Sequence, residues 1–208
     1  MKIRWHSGHS LSLRGNKYRI IIGLPQEIEV KQLKIKEGEL VILPYALNYY
    51  PEEVQIYLNK SQAFVIDGAG EYSYGGVTIR GISVLRQSGE RMNLFSLSVE
   101  DIIFVSLFDL DRELEQKEFD LIGNTDILAL PIGGNDVLDY KKAVKVAHKV
   151  EPRMIIPLKH QSQYDPDQAS VDTFVKEYGL EAKAEEEYTI KKSSLSIEQT
   201  DLVVLAVN

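Results

Sequence analysis

The sequence predicts an α/β fold with β-sheets at its centre and helices outside. Three observations carry this reading. Short runs with alternating or β-branched character crowd the first half of the chain. Strand-like and helix-like patterns alternate in the second half. Several runs, ELVIL and DILAL among them, are continuously apolar, as in buried strands.

The elements follow in order. KIRWH, HSLSLRG and KYRIII read as strands, with Gly15-Asn16 as a hairpin turn. ELVIL is a buried strand after Gly38-Glu39. Pro51-Glu52-Glu53 opens a short helix, with proline early and acids at the positive end of the dipole, and it ends near Asn59. SQAFVID is a strand, and GEYSYGGVTIRGISVL is a hairpin with Gly75-Gly76 at its tip. NLFSLSV and DIIFVSLF are two more strands, and DRELEQKEF is a short charged helix. DILALPIGG is a strand ending in a glycine turn. LDYKKAVKVAHKV places Leu138, Ala143, Val144, Val146, Ala147 and Val150 on one helical stripe. RMIIPL is a strand, and SVDTFVKEYG is an amphipathic helix closed by Gly179. EEEYTIKK and DLVVLAV complete the strands.

The 208 residues, 44% hydrophobic and 26% charged, are ordinary for a globular protein. No linker, low-complexity tract or repeat interrupts them, so one domain over residues 1–208 is expected. A net charge of −7 argues against a broad nucleic-acid or anionic-membrane footprint. No apolar run reaches the length of a membrane span. The opening MKIRWHSGHS is too polar for a signal-peptide core, and with no cysteine in the chain the expected compartment is the cytoplasm. The absence of cysteine excludes disulfides, thiolate metal sites and a cysteine nucleophile. The only histidines are His6, His9, His148 and His160, which limits any imidazole metal site. Gly68-x-Gly70 and Gly75-Gly76 are turn glycines, because neither a phosphate-cradling G-x-x-x-x-G-K-[ST] nor a G-x-G-x-x-G occurs. No G-x-S-x-G nucleophile elbow occurs either.

One stretch stands apart. VILPYALNYYP, residues 41–51, opens as a buried strand and runs into a loop with Tyr45, Tyr49 and Tyr50 but no ionisable metal ligand. Taken singly, these tyrosines read as rim aromatics.

Three segments in order resemble the metallo-β-lactamase fold. More narrowly, they are similar to its branch of L-ascorbate-6-phosphate lactonase-like proteins and small Zn-dependent hydrolases. MKIRWHSGHSLSLRGNKYRIII resembles that branch's opening, FVIDGAGEYSYGGVTIRGI its D-x-P-G-E-Y-x-x-x-G-V-x-I-x-G-I segment, and ILALPIGGNDVLDYKKAVKVAHKVEPRMIIPL its L-x-P-V-G-G and I-I-P-M-H strands. The resemblance runs from Met1 to about Leu158. It implies a four-layer αβ/βα sandwich, two mixed β-sheets flanked by helices.

The family's chemistry implies zinc or manganese, held first by an H-x-H-x-D-H loop, and the sequence departs from that pattern. The matching loop here is Tyr45-Ala46-Leu47-Asn48-Tyr49-Tyr50. The branch's His-Asp matches Arg86-Gln87, its L-G-D matches Leu107-Phe108-Asp109, and a downstream histidine matches Arg112. The P-M-H-Y histidine matches Lys159, with His160 one residue later, and the aspartate of LIDP matches Gly23. Asp109 alone keeps a ligand-type side chain. No cofactor is therefore expected. A buried carboxylate without a metal needs another cation, so Arg86 or Lys159 is expected to pair with Asp109, with Tyr45 and Tyr50 filling the space. His9 matches a Gly-His-Ser element near the family's site. The pocket candidates are Asp109, Arg86, Lys159, Tyr45, Tyr49, Tyr50, His9 and His160.

These readings lead to a pseudoenzyme that binds a small polar or anionic ligand or serves as an assembly module. The alternative is a metal-dependent hydrolase of lactonase, phosphoester or amide type with an altered site, in which Asp109, His9 and His160 hold one metal. Family relatives form oligomers, so the resemblance also admits a homo-oligomer.

Overall fold

The computed structural model of the chain describes residues 1–25 and 29–207. The strands in chain order are β1 (Lys2–Ser7), β2 (Ser10–Arg14), β3 (Arg19–Ile22), β4 (Leu40–Ile42), β5 (Phe64–Ile66), β6 (Gly70–Tyr74), β7 (Val77–Leu85), β8 (Arg91–Val99), β9 (Ile102–Ser106), β10 (Ile127–Pro131), β11 (Met154–Leu158), β12 (Ala182–Glu185), β13 (Tyr188–Thr189) and β14 (Asp201–Leu205). The helices are α1 (Glu52–Ser61), α2 (Gln116–Ile122), α3 (Tyr140–Val150) and α4 (Val171–Tyr178). Among the described residues, one sheet runs β13-β1-β2-β3-β4-β5 and the other β12-β14-β11-β10-β9-β8-β7-β6. Both are mixed: β3-β4-β5 and β9-β10-β11-β14 are parallel, and the hairpins are antiparallel.

The four layers follow from the two-residue period of a strand. In β3, Ile20 and Ile22 point between the sheets, and Ile21 points outward to a cluster with Val41, Leu43 and Leu58 of α1. In β10, Ile127 and Ala129 join the inter-sheet core, and Leu128 and Leu130 face the helices. Continuously apolar strands are therefore what a sheet covered on both faces requires. The expected stripe of α3 packs there, with Ala143, Val146 and Ala147 buried and Val144 and Val150 partly so. Gly75 and Gly76 both take left-handed backbone, φ 58° and 83°, in the β6–β7 hairpin.

Helix termini carry their own chemistry. The Asp139 carboxylate accepts from the backbone N–H of Lys141 and Lys142 at the start of α3, and the Ser170 hydroxyl accepts from Asp172 N–H at the start of α4. Gly179 ends α4 at φ +80°, with open space where a Cβ would stand. Gly179→Ala is thus expected to cost only the left-handed conformation, about 1 kcal/mol. A urea midpoint shift measures it.

Two expected elements differ. The helix read in DRELEQKEF begins only at Gln116. Arg112 is drawn away by a bidentate pair to Glu118 at 2.7 and 2.8 Å, while Glu118 also accepts the N–H of Glu115 at the helix entry. EEEYTIKK is not one strand. The chain leaves β12, which pairs with β14, and crosses to the other sheet, where β13 pairs with β1. No helix among the described residues is long and apolar enough to cross a membrane.

Candidate functional site

The loops after β4, β7, β9, β10 and β11 converge on one cavity of about 910 Å³. Its lining includes Tyr45, Tyr49, Tyr50, Arg86, Asp109, Asp136 and Lys159. Four of these loops leave the carboxyl ends of parallel strands, where backbone is free of ladder bonds and can present side chains.

Asp109 is the centre of the charge arrangement and is 4% exposed. Its Oδ1 lies 2.8 Å from His9 Nδ1 and 3.4 Å from Lys159 Nζ. Burial opposes ionisation of this carboxyl, but its close contact and hydrogen bond with His9, and the charges of Lys159 and Arg86, outweigh it and hold its pKa well below the usual carboxylate range. Lys159 also donates to Asp136 Oδ2 at 3.0 Å. Burial pulls the Lys159 pKa down, and the Asp109 and Asp136 carboxylates more than restore it, so the amine stays an ammonium.

The backbone holds this pair in place. Phe108, Asn135 and Lys159 take left-handed conformations, φ 47°, 51° and 51°, beside or at the three charged residues. Asparagine tolerates this, but phenylalanine and lysine store strain there. Glycine permits two close approaches. A Cβ on Gly23 would stand 2.3 Å from His9 Cδ2, and one on Gly133 would stand 1.8 Å from the Lys159 carbonyl oxygen.

The phenols form the other wall. Tyr45 accepts a hydrogen bond from Arg86 Nη1 at 3.4 Å. Burial first, and then the Asp109 charge, raise the Tyr45 and Tyr50 pKa values, so both hydroxyls keep their protons. Tyr49 lies on the rim, 76% exposed. The Asp67 carboxylate fixes the loop by accepting Leu47 N–H at 2.7 Å. Arg86 pairs with Glu90 at 3.2 Å and Asp111 at 3.5 Å, and donates to the Asp136 carbonyl.

Of the sequence-derived candidates, the structure brings together Asp109, Lys159, His9, Arg86, Tyr45, Tyr49 and Tyr50. His160 is not among them. Its ring packs on Trp5 with centroids 4.5 Å apart and lines a separate cavity with Gln161 and Val204. Lys159 lines the first cavity, whereas its neighbour His160 lines the other. His9, Asp109 and His160 therefore do not converge. Asp136, Asp111 and Asp67 escaped the sequence reading, because acids in glycine-rich or polar turns read as ordinary turn chemistry.

A profile of the Beta-lactamase superfamily domain matches residues 2–159, more than half of the chain. The chain belongs to this superfamily. A UPF0173 metal-dependent hydrolase of Pyrococcus abyssi is 28% identical over 138 residues, which span 66% of this chain and 55% of that protein. A Thermotoga maritima protein assigned to the metallo-β-lactamase superfamily as a Zn-dependent hydrolase superposes with a TM-score of 0.77 at 22% identity, covering 99% of this chain and 98% of that one. A metallo hydrolase of Ignicoccus hospitalis gives 0.67 at 13% identity, with 99% and 94% covered. These likenesses establish the metallo-β-lactamase fold expected from the sequence. The narrower similarity to ascorbate-phosphate lactonases rests on the sequence segments alone.

The fold family implies a metal, and the donor set in this cavity does not fit one. Among the described residues, no group of three or more His, Cys, Asp or Glu side chains stands close enough to hold an ion. The carboxylate that would bind it already faces a fixed ammonium 3.4 Å away, and the neighbouring phenols stay protonated.

Proposed function

We propose that this chain is a non-catalytic member of the superfamily in which the Lys159 ammonium takes the place of the metal's charge, leaving a cavity that holds a small polar ligand. The contact between Lys159 Nζ and the buried Asp109 carboxylate carries this reading. An ammonium at that distance neutralises the single carboxylate charge that would attract a divalent ion, and a second cation beside it would be repelled. The lining supports a ligand recognised by hydrogen bonds. Lys159 and Arg86 are already matched by Asp109, Asp136, Glu90 and Asp111, so little free positive charge remains for an anion. The protonated hydroxyls of Tyr45 and Tyr50 and the amphipathic rim of Tyr49 offer donors, acceptors and stacking surface instead.

The names of the relatives favour the alternative, a metal-dependent hydrolase. Elemental analysis of protein purified without chelator, with zinc and manganese titrations, separates the two. The expected result is less than stoichiometric metal and no saturable heat of binding. One equivalent of tightly held zinc or manganese that Asp109→Ala abolishes would overturn the proposal.

A further inference from the structure

The outer face of the first sheet carries a ladder of like charges. Lys2 lies opposite Arg14 in the β1–β2 register, and Arg14 lies opposite Arg19 in the β2–β3 register. Arg4, on the same face of β1, stands opposite Ser12. Like charges directly across strands destabilise a sheet. The outer rungs are neutralised: Lys2 pairs with Glu187 at 2.7 Å and Arg19 with Glu39 at 3.1 Å. The inner ones only share the field of Glu187, whose pKa is lowered first by its hydrogen bond from Lys2 and also by the charges of Lys2, Arg4 and Arg14. Among the described residues, Arg4 and Arg14 make no ion pair, nor do Lys34 and Lys36 on the facing wall.

These side chains surround a groove of about 410 Å³ that shares no lining residue with the first cavity. Six lysines and arginines and two glutamates line it, in a chain whose net charge is −7, so the basic concentration is local and against the overall balance. His6 lies in the groove with Nε2 2.9 Å from Ser12 Oγ. Burial, and then the charges of Arg19 and Arg4, pull its pKa down to about 4. The packing of the sheet gives no reason for this repulsion, because each cation faces outward.

We propose that this groove binds a small ligand bearing two or more phosphate groups, held by Arg4 and Arg14 on the sheet and Lys34 and Lys36 on the wall. One carboxylate or one phosphate would neutralise only part of the excess of six cations over two glutamates in one concavity. A compact polyanion neutralises all of it, and the arginine forks match phosphate oxygens in pairs. The size of the groove and the negative net charge favour a small molecule over a nucleic acid.

Isothermal titration with inorganic tripolyphosphate at low salt tests this on the whole chain, with ATP and orthophosphate beside it. Saturable tripolyphosphate binding is expected, weakened about tenfold or more by Arg14→Gln and reduced by salt. ATP binding as tight as tripolyphosphate places recognition in the phosphate chain, and tighter binding adds a nucleoside contact. Both support the site. The same substitution removes repulsion from the empty groove, so its Tm is expected to rise by about 1–2 °C. Bound tripolyphosphate should also move the His6 pKa, followed by NMR, upward from about 4. The proposal is overturned by no binding at about 1 mM tripolyphosphate. It is equally overturned by affinity unchanged in both Arg4→Gln and Arg14→Gln, by orthophosphate binding as tightly as tripolyphosphate, or by a fall in Tm on Arg14→Gln.

Discussion

Lys159→Met is expected to destabilise the protein by about 3 kcal/mol near neutral pH, because it strips the contacting ammonium from the buried Asp109 carboxylate and leaves it the His9 hydrogen bond and the Arg86 charge beyond ion-pair distance. Methionine keeps most of the lysine's volume, so the loss reports charge and not a cavity. The pH dependence follows from the direction of the shift. The folded Asp109 pKa lies below its unfolded value near 4, so its pairing contributes stability above that value and loses it as pH falls through the folded pKa. Without Lys159 the folded carboxyl's pKa rises, and the variant's deficit relative to the parent should shrink as pH falls through that raised value toward the parent's. Removing both partners in Asp109→Asn/Lys159→Met should recover much of the loss, since neither charge is then stranded. Urea denaturation of the parent and the two variants from pH 3 to 7 measures this. A single variant within about 0.5 kcal/mol of the parent at pH 7 would mean that Lys159 is not what neutralises Asp109.

Gly133→Ala is expected to cost a similar amount, about 3 kcal/mol, for a steric reason. Its added methyl would stand 1.8 Å from the Lys159 carbonyl oxygen and 2.4 Å from Gln168 Oε1. The glutamine can swing away, but the carbonyl belongs to backbone that is pinned on both sides. Ile132 N–H donates to Leu158 O at 3.0 Å, and Lys159 N–H donates to Gly8 O at 3.1 Å. The loop must therefore shift as a unit and carry the ammonium off Asp109. Because both substitutions act on one loop, Gly133→Ala/Lys159→Met should lose less than the sum of the singles. Additive losses would show that Gly133 does not act through Lys159.

The strands around the core were legible because burial on one or both faces is written in the two-residue and continuous apolar patterns. Gly75-Gly76 and Gly179 were legible because only glycine takes those backbone angles cheaply. The start of α2 was misplaced because Arg112 and Glu118, six residues apart, form a bidentate pair that no local propensity expresses. The split of EEEYTIKK between two sheets was hidden for the same reason, since pairing partners lie far away in the chain. At the candidate site, alignment to the resembled family led to Asp109, Arg86, Lys159 and the tyrosines, with His160 admitted as a further candidate if the register shifts by one. In the structure Lys159 and His160 line different cavities.

Apart from the start of α2 and the division between β12 and β13, the sequence by itself determined which segments become strands and helices, since these depend on near neighbours and on which faces must be dry. Only the tertiary structure decided that His9, Asp109, Asp136 and Lys159 meet, across separations of up to 100 residues. Electrostatic pairing acts over a few ångströms in space and is blind to distance along the chain. The order of strands in the two sheets, and not any motif, chose the partners.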